Sequence, residues 1–250
     1  MKSTQSDERI KQLLAAATKV FISRGYRRAT MADIAREMGV APGTIYLYVE
    51  SKEALFHLLA MRTAVDPASK TLELPVKTPP PSATLDMLRN AMSVDAYAPR
   101  LASMTRKRFT ADAAAELPDV LGELYDSAFA RRDGINLIER SAMDWPEMAE
   151  VFFRGLRSGL VAALASYLEK GIASGAFRPV PDVRVAARFV VESIAWFAIH
   201  RHGDPGGKDF DDAIAREGSI DMVVAAVVAT AESSPTAARS ENTKKRGKDK

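Results

Sequence analysis

The stretch from Thr30 to Lys52, TMADIAREMGVAPGTIYLYVESK, leaves this chain few ways to fold. Thr30 precedes a short apolar-periodic run with Asp33 three residues on, a capping-box spacing that satisfies the first free N–H groups of a helix. Ile34, Ala35 and Met38 fall on one helical face, and Gly39 supplies the backbone freedom of a sharp turn. Pro42 suits the first position of a second helix, where its missing N–H costs nothing. That helix is predicted over residues 42–48 with Ile45 inward, and Ser51 caps a third. Two short helices joined by a tight glycine turn make a helix-turn-helix.

The side chains on its outer surface suit DNA. Pro42, Gly43, Thr44, Tyr46, Leu47 and Tyr48 lie on the outward face of the second helix. The hydroxyls can donate to phosphates and the apolar atoms can meet thymine methyls. Lys52 stands at a helix start, where the macrodipole disfavours a cation, and a nearby phosphate would remove the conflict. With Thr30, these are the candidate DNA-contact residues.

At these positions the chain resembles the tetracycline-repressor (TetR) family of bacterial transcription regulators. The family pattern is met by Thr30, Ile34, Ala35, Gly39, Val40, Gly43, Thr44, Ile45, Tyr46, Tyr48, Ser51, Lys52 and Leu55. Ala41 stands where a serine cap is frequent, and Val49 where phenylalanine is commoner. The resemblance covers about the first quarter of the chain. It implies a DNA-binding regulator whose C-terminal domain dimerises and binds a small molecule that alters the spacing of the two DNA-binding heads.

Composition agrees with an all-α fold: Ala, Leu, Met, Arg and Glu are plentiful and β-branched runs are few. The chain has no cysteine, which excludes disulfides and thiolate metal sites. No signal peptide or apolar run of spanning length stands out, so a cytoplasmic location is expected. Charge is uneven. Residues 1–64 carry 10 Lys/Arg against 6 Asp/Glu, and residues 235–250 carry 6 against 2. The middle is acidic, with 19 against 24. A basic head on an acidic body suits a DNA-binding module joined to a domain that avoids DNA.

Four regions are expected: a helix-turn-helix domain over 1–64, a Pro-rich connector over 65–82, a helical ligand-binding and dimerisation domain over 83–232, and a disordered basic tail over 233–250. The first helix should start after Ser6, with Ile10, Leu13, Leu14, Ala17 and Phe21 inward, and stop at Gly25. Arg27 and Arg28 then read equally as phosphate contacts or a solvated pair. The connector holds five of the chain's 13 prolines and reads as semi-rigid. Beyond it, helices are expected over about 82–110, from Pro118 with an interruption at Asp133-Gly134, and from Trp145-Pro146 to about Gly171–Gly175. Two more are expected over about 182–201 and 219–232, separated by the loop HGDPGGKDF.

The helix over 182–201 is apolar on two sides. Val183, Ala187, Val190, Ile194 and Phe197 form a coiled-coil-like seam. With Val223 and Val227 of the last helix, this seam is the expected dimer interface, as half of an intermolecular four-helix bundle; ordinary intrachain packing is the alternative. The second row, Phe189, Trp196 and His200, is expected to face a ligand pocket with Met92, Met104, Phe129 and Phe152, because aromatic and methionine side chains line adaptable apolar cavities. Plain core packing would use the same residues.

No catalytic constellation, cofactor motif or metal-ligand spacing is visible; His57 is remote in sequence from His200 and His202, which do not share a helix face. The expectation is a homodimeric, non-enzymatic regulator of a palindromic operator, probing double-stranded DNA with two recognition helices and released by a small apolar or amphipathic effector. A DNA-bound protein that recruits a protein partner is the alternative, and a helical-bundle enzyme a more distant one. The basic tail, with Arg239, Lys244, Lys245, Arg246, Lys248 and Lys250, either adds phosphate contacts or merely solubilises the terminus.

Overall fold

The computed structural model describes residues 2–65, 73–107, 109, 113–207, 209 and 211–228. Among these the chain is helical, with no named strand and two isolated bridges. The helices are α1 (Lys2–Arg24), α2 (Met31–Met38), α3 (Pro42–Ile45), α4 (Lys52–Ala60), α5 (Ala83–Ala91), α6 (Val94–Tyr97) and α7 (Pro99–Arg106). There follow α8 (Ala113–Ala130), α9 (Arg132–Ala142), α10 (Pro146–Ala149), α11 (Ser158–Ser174), α12 (Val183–Ala198) and α13 (Asp212–Val227). π-Helical turns follow α4 (Met61–Val65) and α10 (Glu150–Arg157), and a 3-10 turn follows α12 (His200–Gly203).

Several boundaries differ from the sequence reading, each for a local reason. The single helix expected over 82–110 is three, α5 to α7. Pro99 forces Ala98 out of the helical region (φ −138°, ψ 66°) because its ring crowds the preceding residue. Pro118 lies inside α8 rather than opening it. The interruption expected at Asp133-Gly134 falls two residues earlier, at Arg131, and both residues sit in the first turn of α9. Gly134 is there for proximity, since a Cβ on it would lie 2.7 Å from the backbone of Thr63 and Ala64. The last helix starts at Asp212, capped by Asp211, seven residues before its expected start. Residues 146–174 form a run that, by length and composition alone, could cross a membrane, which the sequence reading did not anticipate.

The chain divides into two compact units, Met1–Tyr97 with Ser127–Gly159, and Ala98–Asp126 with Leu160–Lys250. In the first, α1 packs on α2, α4 and α9. Ile10, Leu13, Ala17 and Phe21 form its buried stripe, with Leu14 only half-buried, and Ile34, Ile45, Leu55, Leu58 and Leu59 are buried in the same unit. The unit that holds the helix-turn-helix thus extends past residue 64. α9 also ties down the end of α1, where Arg140 Nε donates to the Ile22 carbonyl at 3.1 Å.

The second unit is built around α12 and α13. Arg201 is 2% exposed and locks the loop between them. Its guanidinium donates to the carbonyls of Phe197 (2.8 Å) and Gly207 (3.1 Å) and pairs with Asp212. A buried guanidinium is tolerated only when its donors are met in this way.

The two apolar rows of α12 do not divide between interior and surface as expected. Ala187, Val190 and Ile194 of the expected dimer seam are buried within the single chain, as are Val223 and Val227 of α13. Val183 and Phe197 are half-buried. The row assigned to the interior carries Phe189, which is 65% exposed, one turn after Val185, also exposed. Both rows are apolar, so periodicity alone could not say which faces α13. The Arg188–Glu192 pair expected on the remaining strip forms at 2.6 Å.

Candidate nucleic-acid interface

The helix-turn-helix is assembled by short-range chemistry. Thr30 is the N-cap of α2: its Oγ1 accepts from Asp33 N at 3.2 Å, and Asp33 Oδ2 accepts from Thr30 N at 3.2 Å. The Thr30 hydroxyl also donates to Asp33 Oδ2 at 2.7 Å. These bonds to the carboxylate, the Thr30 hydroxyl foremost, with Arg36 and the charge of Arg24, hold Asp33 below its ordinary pKa. Gly39 ends α2 at φ 73°, a left-handed conformation that costs glycine little. Ala41, lacking a side-chain oxygen, makes no capping bond to α3.

α3 is one turn shorter than the sequence suggests, ending at Ile45; Tyr46 to Tyr48 continue as a turn. Buried Ile45 and Val49 pin this segment to the core. What it turns outward is Pro42, Gly43, Tyr46 (50% exposed) and Leu47 (67% exposed), with Thr44 and Tyr48 half-buried. A Cβ at Gly43 would meet nothing within 4 Å, so the space there is open to a ligand surface. An exposed tyrosine beside an exposed leucine on a turn fixed from beneath is a docking surface in search of a partner.

Lys52 takes a different part from the phosphate contact expected of it. Its ammonium donates to the carbonyls of Tyr26 (3.0 Å), Ala29 (3.1 Å) and Arg27 (3.4 Å), and lies 4.6 Å from the centroid of the Tyr26 ring. All three N–H donors therefore serve the loop that joins α1 to α2. Tyr26 in turn stacks on Trp145 (4.8 Å, 22°) and meets Phe56 edge-on at 4.7 Å. Burial and the neighbouring Glu53 carboxylate raise the Tyr26 phenol well above its ordinary pKa. Arg27 and Arg28, on the loop that Lys52 clamps, remain exposed.

The connector also joins this region, which sequence reasoning missed. Its residues 66–72 lie outside the described residues, but Val76 bridges to Val49. Val76 N donates to Tyr48 O at 2.8 Å and Glu50 N donates to Val76 O at 3.0 Å. No periodic signal marks such a pairing; it depends on an extended segment reaching back some 25 residues.

The residues assigned to a ligand pocket are distributed between the two units. Met92 and Phe152 are buried and Phe129 half-buried in the first unit. Met104, Trp196 and His200 are half-buried in the second, and Phe189 is on its surface. Phe189 does line a groove of about 380 Å³, with Val185, Val190, Val223 and Val227. A second groove of about 560 Å³ is polar, lined by Arg100, Asp119, Glu123, Asp126, Arg216 and Glu217 among others. The basic tail, residues 233–250, lies outside the described residues.

Residues 13–59 match the family model of bacterial regulatory proteins of the tetR family. Along most of its length the chain is similar to the HTH-type transcriptional repressor KstR2 of Rhodococcus jostii, at 26% identity over 82% of this chain and 85% of that one. It is also similar to the HTH-type transcriptional regulator YfiR of Bacillus subtilis, at 26% identity over 73% of this chain and 75% of that one. The ketosteroid transcriptional regulator KstR2 of Mycobacterium tuberculosis shares the fold, with a TM-score of 0.52 at 19% identity over 89% of this chain and 96% of that one. The capped helix-turn-helix and the family match that spans it lead to one conclusion: residues 13–59 are a DNA-binding domain of the tetR-family kind, on a chain that is similar along most of its length to HTH-type transcription regulators.

Proposed function

We propose that the chain acts as a homodimeric repressor, binding an approximately palindromic operator and released from it by a small apolar or amphipathic effector. The observation that carries the DNA reading is the exposed Tyr46–Leu47 pair on a turn anchored by Ile45 and Val49. Such a surface keeps its shape on docking, which limits the entropy lost on binding. Tyr46 contacts the backbone and fixes docking, while Thr44, Tyr48 and the open side of Pro42–Gly43 meet the groove. Thr30 serves mainly as the cap that sets α2, and Lys52 as the clamp on residues 26–29.

The dimer reading rests on the exposed face of α12 and α13. Val185, Phe189, Ile214 and Met222 are large apolar side chains left in solvent by a single chain, and a second copy would cover them. Two heads related by a two-fold axis would then meet successive major-groove faces about 34–36 Å apart, or a multiple of it. Repression, rather than activation, is supported by the likeness to a transcriptional repressor over most of both chains. The effector reading rests on the resemblance to the TetR family, whose C-terminal domains bind small molecules, and on the buried side chains Met92 and Phe152.

The test is selection of operator fragments from genomic DNA with the purified full chain, alongside Tyr46→Ala. The expected result is enrichment of fragments sharing one imperfect palindrome, bound by wild type and lost with Tyr46→Ala. Release of the enriched fragments is then measured against a panel of small apolar and amphipathic molecules, steroids among them. Equal binding of enriched and random fragments, by wild type and variant alike, would overturn the reading.

A further inference from the structure

We propose that residues 74–78 form a strap that extends the DNA-binding surface, with Lys77 supplying a phosphate contact at the edge of the recognition turn. This inference rests on the DNA-binding reading above. It starts from a segment that the sequence marks only as a proline-rich connector.

The strap is attached by four hydrogen bonds to Tyr48, Glu50 and Ser51, just after the recognition turn. Val76 accepts from Glu50 N and donates to Tyr48 O, which together pair it with Val49 as a parallel bridge. Thr78 N donates to Glu50 Oε2 at 2.9 Å. The Thr78 hydroxyl donates to Ser51 Oγ at 2.9 Å, the same oxygen that caps α4 by accepting from Ala54 N at 3.0 Å. The strap thus meets the chain between the exposed Tyr46–Leu47 pair and the start of α4, and Pro79, Pro80 and Pro81 restrict the backbone beyond it.

Lys77 stands on this fixed backbone with its side chain 78% exposed, its amine 2.6 Å from Glu50 Oε1. Bonds from Lys77 first, and from Thr78 N, hold Glu50 ionised below its ordinary pKa. An ion pair this exposed is weak, because water and salt screen it. A phosphodiester oxygen arriving beside Tyr46 can therefore take the amine from Glu50 at little cost. The position matters because Lys52, the cation that the sequence places near the recognition helix, has its three donors on loop carbonyls. A recognition helix in the major groove has phosphates on both flanks, and Lys77 is a cation held at the flank after Tyr48.

The experiment measures the affinity of the full chain for a selected operator and for random DNA between 50 and 200 mM salt. Wild type is compared with Lys77→Gln, Lys77→Arg, Glu50→Gln and the double variant of Lys77→Gln with Glu50→Gln. One lost phosphate contact lowers the slope of log affinity against log salt by about 0.9 per protomer, so the fourfold rise in salt costs about 3.5-fold less affinity per head. Lys77→Gln should show this on both DNAs, and Lys77→Arg should restore the wild-type slope. Glu50→Gln should tighten binding, and the double variant should lose that gain. An unchanged slope in Lys77→Gln overturns the phosphate contact, as does a Glu50→Gln effect that is the same with or without Lys77. If wild type itself binds no DNA, the regulator reading falls, and the strap proposal with it.

Discussion

Replacing Lys52 with Met separates a clamp from a phosphate contact. Methionine keeps the apolar stem and removes the ammonium, so packing beside Phe56 and Tyr26 is largely retained. What goes are three charge-assisted bonds to the carbonyls of Tyr26, Arg27 and Ala29 and the approach over the Tyr26 ring. Bonds to a charged group contribute about 1.5–3 kcal/mol net, and a partly exposed cation–π contact about 0.5–1 kcal/mol. The carbonyls at this half-buried position regain some water, so the expected loss is about 2–3 kcal/mol. For a chain of this size that corresponds to a fall in Tm of about 4–12 °C. Calorimetry of the DNA-free protein measures it, and salt-dependent binding to the operator supplies the comparison. The clamp predicts a lower Tm and, through the loosened loop carrying Arg27 and Arg28, weaker binding at every salt concentration with little change of slope. A variant that melted with wild type while its salt slope fell by about 0.9 per head would refute the clamp and reinstate the phosphate contact.

Phe189→Asp, on the exposed face of α12, should yield folded monomers by sedimentation. Ile194→Ala, 3% exposed and inside the chain, should instead cost about 2–5 kcal/mol of stability without directly opening the interface; a dimer surviving Phe189→Asp would move the interface elsewhere. His57 on α4, its Nδ1 2.9 Å from Thr84 Oγ1 of α5, has its pKa lowered by burial. Below about 6.5 the unfolded chain binds a proton that the folded one resists, so stability should fall as pH drops through that value and level off beneath the folded pKa. His57→Gln should flatten this part of the melting profile between pH 7.5 and 5.5, and an unaltered profile would exclude His57 as its source.

Features set by neighbours along the chain were legible in the residues alone. Thr30 with Asp33, Gly39, Pro42 and Ser51 specify caps and a turn through bonds spanning three or four residues, so spacing alone revealed the helix-turn-helix and, with it, the exposed Tyr46 and Leu47. The buried stripe of α1 was legible for the same reason. Tertiary structure decided everything whose partner lies far along the chain. Lys52 at a helix start looks like an unsatisfied cation until residues 26–29 fold over it. The connector looks like a spacer until Val76 pairs with Tyr48 and Glu50. On α12 the sequence carries two apolar rows of similar strength, and an apolar row states only that it must be covered. That Ile194 turns inward and Phe189 outward is set by how α12 packs in the folded unit. Hydrophobic burial has no direction of its own, and the choice between equivalent faces belongs to the packed molecule.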